Sequence, residues 1–78
     1  MGRLDELEAF VKVVELESFS EAAHHLGISK SYVSKQISRL EDRLGARLLN
    51  RTTRQLTLTD AGHLFFERCV DVLGQLEE

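Results

Sequence analysis

Seventy-eight residues, 13 acidic against 10 basic side chains, one cysteine and no proline bound what this chain can be. A chain of this size buries roughly 60% of its unfolded surface as one small domain, with little room for an enzyme cleft of about 300 Å³ or more. The lone Cys69 excludes an internal disulfide framework, no apolar run approaches the roughly 18 residues of a membrane span, and the charged start Met1-Gly2-Arg3-Leu4-Asp5-Glu6 has no apolar signal core, so a reducing, cytoplasmic location is expected.

The first segment, residues 1–19, sets Arg3 and Lys12 against Asp5, Glu6, Glu8, Glu15 and Glu17, a net −3. Leu4, Leu7, Val11 and Val14, widened by Phe10 and Val13, recur at helical spacing and predict a first helix over 4–17. Ser18-Phe19-Ser20 breaks it, with Ser20 the expected cap of a short second helix, Glu21 to Leu26, that Gly27 ends. Ser29 then caps a third helix running to about Leu44, whose apolar positions Val33, Ile37, Leu40 and Leu44 lie on one face, and Gly45 stops it. Over 48–58 the period changes: Leu56-Thr57-Leu58 alternates and Thr52-Thr53-Arg54-Gln55 reads as a polar tip, which predicts a two-stranded hairpin. Thr59 caps a last helix, with Asp60 suited to the positive end of its dipole.

The formal net charge of −3 alone speaks against nucleic acid, but it averages unlike parts. Residues 20–55 carry Lys30, Lys35, Arg39, Arg43, Arg47, Arg51 and Arg54 against Glu21, Glu41 and Asp42, a net +4. Residues 56–78 carry Arg68 against Asp60, Glu67, Asp71, Glu77 and Glu78, a net −4. Mere solvation of helix surfaces would mix the signs everywhere. The basic middle is also where the second and third helices meet through Gly27-Ile28-Ser29, a helix-turn-helix. Small Ala22 and Ala23 let those helices approach, while Ile28, Val33 and Ile37 plug the angle between them. Opposite the apolar face of the third helix stand Ser31, Ser34, Lys35, Ser38 and Arg39, with Tyr32 to one side. Short hydroxyls and long cations without a large aliphatic can enter a major groove, although lysine and serine also populate ordinary solvated faces. Arg51 and Arg54, with Thr52 and Thr53, place cations at the hairpin tip, a wing suited to a narrow, electronegative minor groove.

The run from Phe19 to Gly62 resembles the N-terminal DNA-binding domain of LysR-type transcriptional regulators. The resemblance rests on S-x-x-A-A-x-x-L-x-I-S (Ser20 to Ser29), V-S-x-Q-I-x-x-L-E-x-x-L-G (Val33 to Gly45), L-L-x-R (Leu48 to Arg51) and L-T-x-A-G (Leu58 to Gly62). It implies a mostly α fold: a winged helix-turn-helix of three helices and a small hairpin over 1–58, then a long linker and dimerisation helix over 59–78. It further implies sequence-specific binding to double-stranded DNA, with the recognition helix 30–44 in the major groove and the wing 48–58 at the minor groove. Carried over by position, Lys30, Ser31, Tyr32, Ser34, Lys35 and Arg54 are expected at base edges. Ser29, Ser38, Arg39, Arg51, Thr52 and Thr53 are expected at phosphates. Family members often carry glutamine where Lys30 stands, and lysine favours guanine where glutamine favours adenine, so base preference does not transfer. The chain ends inside a helical pattern, as a fragment would, and a small-molecule effector would act only through a C-terminal domain absent from it.

The last helix carries a 4-3-4 stripe of Phe65, Cys69, Val72 and Leu76, the candidate residues of a dimer seam. Leu58, Ala61 and Phe65 are candidates to pack on the first helix, whereas Val72 and Leu76 point to a second copy across a helical seam. A homodimer on an inverted repeat is therefore expected, with a tetramer open to the full-length protein. No metal or cofactor is expected: His24 and His25 are adjacent and point about 100° apart, His63 has only Glu67 at i+4, and no glycine-rich phosphate loop or nucleophile–base spacing occurs. Cys69, on the apolar stripe, reads as packing rather than redox chemistry. RNA recognition lacks an aromatic platform among Phe10, Phe19, Tyr32, Phe65 and Phe66. The rival reading is a winged helix that binds a protein partner and not DNA.

Overall fold

The computed structural model describes residues 3–50 and 56–77, without the side chains of 3, 4, 76 and 77. The elements in order are α1 (Arg3–Leu16), α2 (Phe19–Leu26), α3 (Lys30–Leu44), β1 (Leu49–Asn50), β2 (Thr57–Leu58) and α4 (Asp60–Glu77). The two strands pair antiparallel, Leu49 opposite Leu58 and Asn50 opposite Thr57. A helix-turn-helix with a short hairpin after its third helix is a winged helix-turn-helix, and the chain has that fold. No helix among the described residues is long and apolar enough to cross a membrane.

The helices end where the residues allow it. Glu17 adopts φ 53° and stops α1. The cap of α2 is Ser18, whose Oγ accepts from the Glu21 N–H at 3.1 Å, and not the expected Ser20, which lies inside the helix. A cap must sit three residues before an amide it can reach, and Ser18 is the serine with extended backbone, φ −165° and ψ 131°. Gly27 at φ 71° and Gly45 at φ 68° close α2 and α3 in the left-handed region that a side chain disfavours. The Ile28 N–H returns to the Ala23 carbonyl at 3.0 Å, which fixes the turn of the helix-turn-helix.

The buried face of α1 is rotated from the stripe its spacing predicts, while the predicted face of α3 is buried at Val33, Ile37 and Leu40. On α1 the buried positions are Glu6, Ala9, Phe10, Val13 and, as its spacing predicts, Val11, with Leu7 and Val14 only half buried. Phe10 decides this rotation. Its ring meets Phe65 at 5.9 Å and Phe66 edge-on at 6.3 Å, both on α4. Leu44 was expected inside but is exposed, because α3 stops there, one residue before Gly45 turns the chain. Ala61 is exposed too, whereas Leu58 and Phe65 pack on the core as expected.

Two buried carboxylates hold the layers together. Glu6 takes both guanidinium nitrogens of Arg43, at 2.7 and 3.1 Å, and so ties α1 to the end of α3. Glu41 accepts from the Leu48 and Leu49 N–H groups at 2.8 and 3.3 Å. Two consecutive leucines can therefore both be buried where β1 begins without leaving their amides unpaired.

Candidate nucleic-acid interface

The α3 helix is sorted by face. Val33 and Ile37 are fully buried, Leu40, Gln36 and Glu41 nearly so. Outward stand Lys30, Ser31, Lys35 and Arg39, all exposed, with Ser34 and Ser38 half buried at the margins. Ser31, Lys35 and Arg39 follow one another at i+4 and span about 12 Å of helix axis, close to the width of a B-DNA major groove. Ser29, the cap, accepts the Tyr32 N–H at 3.0 Å on an exposed residue whose hydroxyl can also donate. The amide groups of the first turn add a partial positive charge at the same end.

Tyr32 is set apart from this row. It is 44% exposed and borders a shallow groove of about 200 Å³ with Asp5, Glu8, Leu26, Ile28 and Gln36, next to the acidic start of α1. Arg51, Thr52, Thr53 and Arg54 of the wing tip lie outside the described residues. The structure thus brings together Ser29, Lys30, Ser31, Ser34, Lys35, Ser38 and Arg39.

Charge in the middle segment is also sorted. Arg43, one of its seven cations, is spent internally on Glu6, and Glu41 is turned inside. Besides Arg43, whose side chain stays 40% exposed while paired to Glu6, its exposed cations among the described residues are Lys30, Lys35, Arg39 and Arg47, while Glu21 and Asp42 are its exposed acids. Sequence reasoning had missed the roles of Glu6 and Glu41. Both left a signal: Glu6 shares the i, i+4, i+7 line with Phe10 and Val13, and Glu41 lies four residues after Ile37. A carboxylate on a buried line needs a donor nearby.

The proposed seam changes most. Cys69 is 2% exposed and Phe65 lies against Phe10, so both belong to the protomer's own core and leave the seam. Their place in the 4-3-4 stripe is explained by α1, which α4 must cover to bury Phe10. Val72 stays outside at 45% exposure, joined by Leu64 at 59% and Val70 at 43%, neither of which the stripe contained. The side chain of Leu76 lies outside the described residues. Burial pushes the Cys69 thiol up to about 11, far from the range of a reactive thiolate. Among the described residues no three His, Cys, Asp or Glu side chains gather as a metal group would require.

Comparison with known proteins agrees with this fold. Residues 4–63 match the bacterial regulatory helix-turn-helix proteins of the lysR family, and the chain belongs to that family. It is 49% identical over 78 residues to an HTH-type transcriptional repressor of Pseudomonas aeruginosa, covering 100% of this chain and 25% of the relative. It is 42% identical, over 100% of this chain and 25% of the relative, to the transcriptional activator AaeR of Escherichia coli. The chain spans about a quarter of the length of the curated relatives it matches. Among solved structures, the BenM DNA-binding domain in complex with catB site 1 DNA superposes with a TM-score of 0.93 at 39% identity, over 96% of this chain and 84% of that one. The CbnR DNA-binding domain in complex with DNA gives 0.90 at 33% identity, over 96% and 86%.

Proposed function

We propose that this chain is the sequence-specific, double-stranded-DNA-binding part of a longer cytoplasmic LysR-type regulator, with no catalytic role. The observation that carries the reading is the outer face of α3, where, Tyr32 at its border apart, every exposed side chain from Lys30 to Arg39 is a hydroxyl or a cation and the aliphatics are turned inside. Lys30, Ser31, Ser34 and Lys35 address base edges, with Tyr32 at the edge of the contact. Ser29, Ser38 and Arg39 address phosphates. Arg54 enters the minor groove, and Arg51, Thr52 and Thr53 meet the backbone beside it. DNA complexes among the structural neighbours support this reading, as do regulators among the relatives. Because the relatives include both a repressor and an activator, the reading assigns DNA binding and no direction of regulation.

The chain acts as a homodimer on an inverted repeat, so that two copies of α3 enter major grooves about 34 Å apart. The outer face of α4, at Leu64 and Val72, supports that pairing because large apolar side chains stand there in water. Selection of binding sites from random duplex DNA, followed by a salt titration on the selected duplex, tests the reading. The expected result is an interrupted inverted repeat and a log–log salt slope of about −3 or steeper per protomer, near −0.9 for each of the exposed cations that neutralises a phosphate. No enriched sequence together with a flat salt dependence would establish the rival protein-interaction module instead.

A further inference from the structure

Leu48, itself 1% exposed, is held from both sides. On one side its N–H donates to Glu41 of α3 at 2.8 Å. On the other, its carbonyl accepts the Thr59 N–H at 3.0 Å. Thr59 continues the grip. Its Oγ1 donates to the carbonyl of Arg47 at 2.6 Å and accepts the Gly62 N–H at 2.9 Å, which caps α4. Gly62 is buried against the same peptide: a Cβ there would overlap the Leu48 carbonyl oxygen and stand 3.0 Å from Leu58 Cδ2. The two peptide units that flank Leu48 therefore carry both the carboxylate of α3 and the first turn of α4. The obstacle to any added atom at Gly62 is backbone, which cannot rotate aside as a side chain can.

We propose that this joint, Glu41–Leu48–Thr59–Gly62, determines which half-site spacing the protein accepts. It rests on the reading of a dimer joined through α4. The joint fixes the direction in which α4 leaves α3, and α4 carries the second copy. The lever is long: 18 residues of helix measure about 27 Å, so a 10° tilt at the base moves the far end by about 5 Å. That exceeds the roughly 3.4 Å rise of one base pair. None of the four residues lies on the outer face of α3, and the proposal requires that the wing rooted beside Leu48 and Leu58 keep its grip on a single half-site. Glu41, Thr59 and Gly62 are thus positioning residues for spacing.

The experiment uses the 78-residue chain and the half-site it selects from random DNA. Duplexes carry that half-site once, or twice in inverted order at spacings stepped by one base pair. The wild-type chain is expected to peak at one spacing. Gly62→Ala should move the peak by at least one base pair, and Thr59→Val, which keeps shape and loses the hydroxyl, should broaden it at least twofold. Thr59→Ser should restore the wild-type profile, and single half-site affinity should stay within twofold throughout. Identical profiles for all variants overturn the proposal and leave the DNA reading standing. A wild-type chain that grips one half-site but shows no preferred spacing overturns both the dimer and the joint. If Gly62→Ala does not fold, the Thr59→Val and Thr59→Ser pair decides alone.

Discussion

The outer faces of α3 and α4 are both exposed helix surfaces in one small protein, yet only that of α4 sets large aliphatic side chains in water between charged ones. Along α3, water meets Lys30, Ser31, Lys35 and Arg39. Along α4 it meets Leu64, Val70 and Val72, each more than 40% exposed, set among exposed Asp60, His63, Glu67, Arg68, Asp71 and Gln75. Hydroxyls and cations suit a polyanion in a groove, where charge is long-ranged and hydrogen bonds read base edges. Exposed aliphatics gain only by leaving water, which favours a complementary apolar face such as a second copy of the same helix. On the proposed reading, α3 serves DNA binding and α4 serves self-association, and each face can be perturbed alone.

The sharpest test concerns a cation that lies on α3 but not on its outer face. Arg43→Ala leaves the Glu6 carboxylate, 2% exposed, without its bidentate partner. Chemical denaturation is expected to show a loss of about 3 kcal/mol, while the affinity of the folded variant for its half-site barely moves. A loss of affinity without a loss of stability would put Arg43 on the DNA face and break the sorting.

The inner face of α4 comes next, through pH. The Cys69 thiol is raised to about 11 in the folded protein by burial, above the 9.0 of an unfolded thiol. The unfolded chain therefore ionises first, so this contribution to stability is full below pH 9 and is lost as pH rises towards 11. Urea denaturation across that window should show wild type losing about 2 kcal/mol more than Cys69→Ala. Equal pH profiles would mean that α4's inner face is open to water.

Lys35→Ala is the matching test on α3. Fluorescence anisotropy on the selected duplex should register a loss of about 2 kcal/mol if Lys35 reads a base, with unchanged stability and self-association. Smallest is Val72→Lys. Sedimentation equilibrium should show association weakened about tenfold, or about 1.4 kcal/mol, with single half-site affinity unchanged. If self-association is indifferent to a charge at Val72, the outer face of α4 is not the seam.

Much of the fold was legible because local rules suffice for it. Ser29, Gly27 and Gly45 mark helix ends by chemistry that needs only neighbouring residues, and α3 starts and stops where they say. The exposed row of α3 was legible for the same reason: an amphipathic helix declares both faces once one is known to be buried. Cap choice between Ser18 and Ser20 was not, since either serine satisfies the local rule and the backbone angle at Ser18 decides. The seam failed at Phe65 and Cys69 because a 4-3-4 stripe looks alike whether it covers α1 or a second copy. Glu6 and Glu41 were read as surface charge because their partners, Arg43 and the Leu48 and Leu49 amides, come from other elements.

By itself, then, the sequence determined the helix-turn-helix, its polar outer row and the segregation of charge into a basic middle and acidic flanks. These follow from periodicity and capping, which act within a few residues. Tertiary structure alone decided which charges remain to face a ligand. It cancelled Arg43 against Glu6, withdrew Glu41 to hold Leu48, and moved Cys69 from seam to core. The reason is physical: burial and pairing depend on which surfaces meet, and helices far apart in sequence meet only when the chain folds.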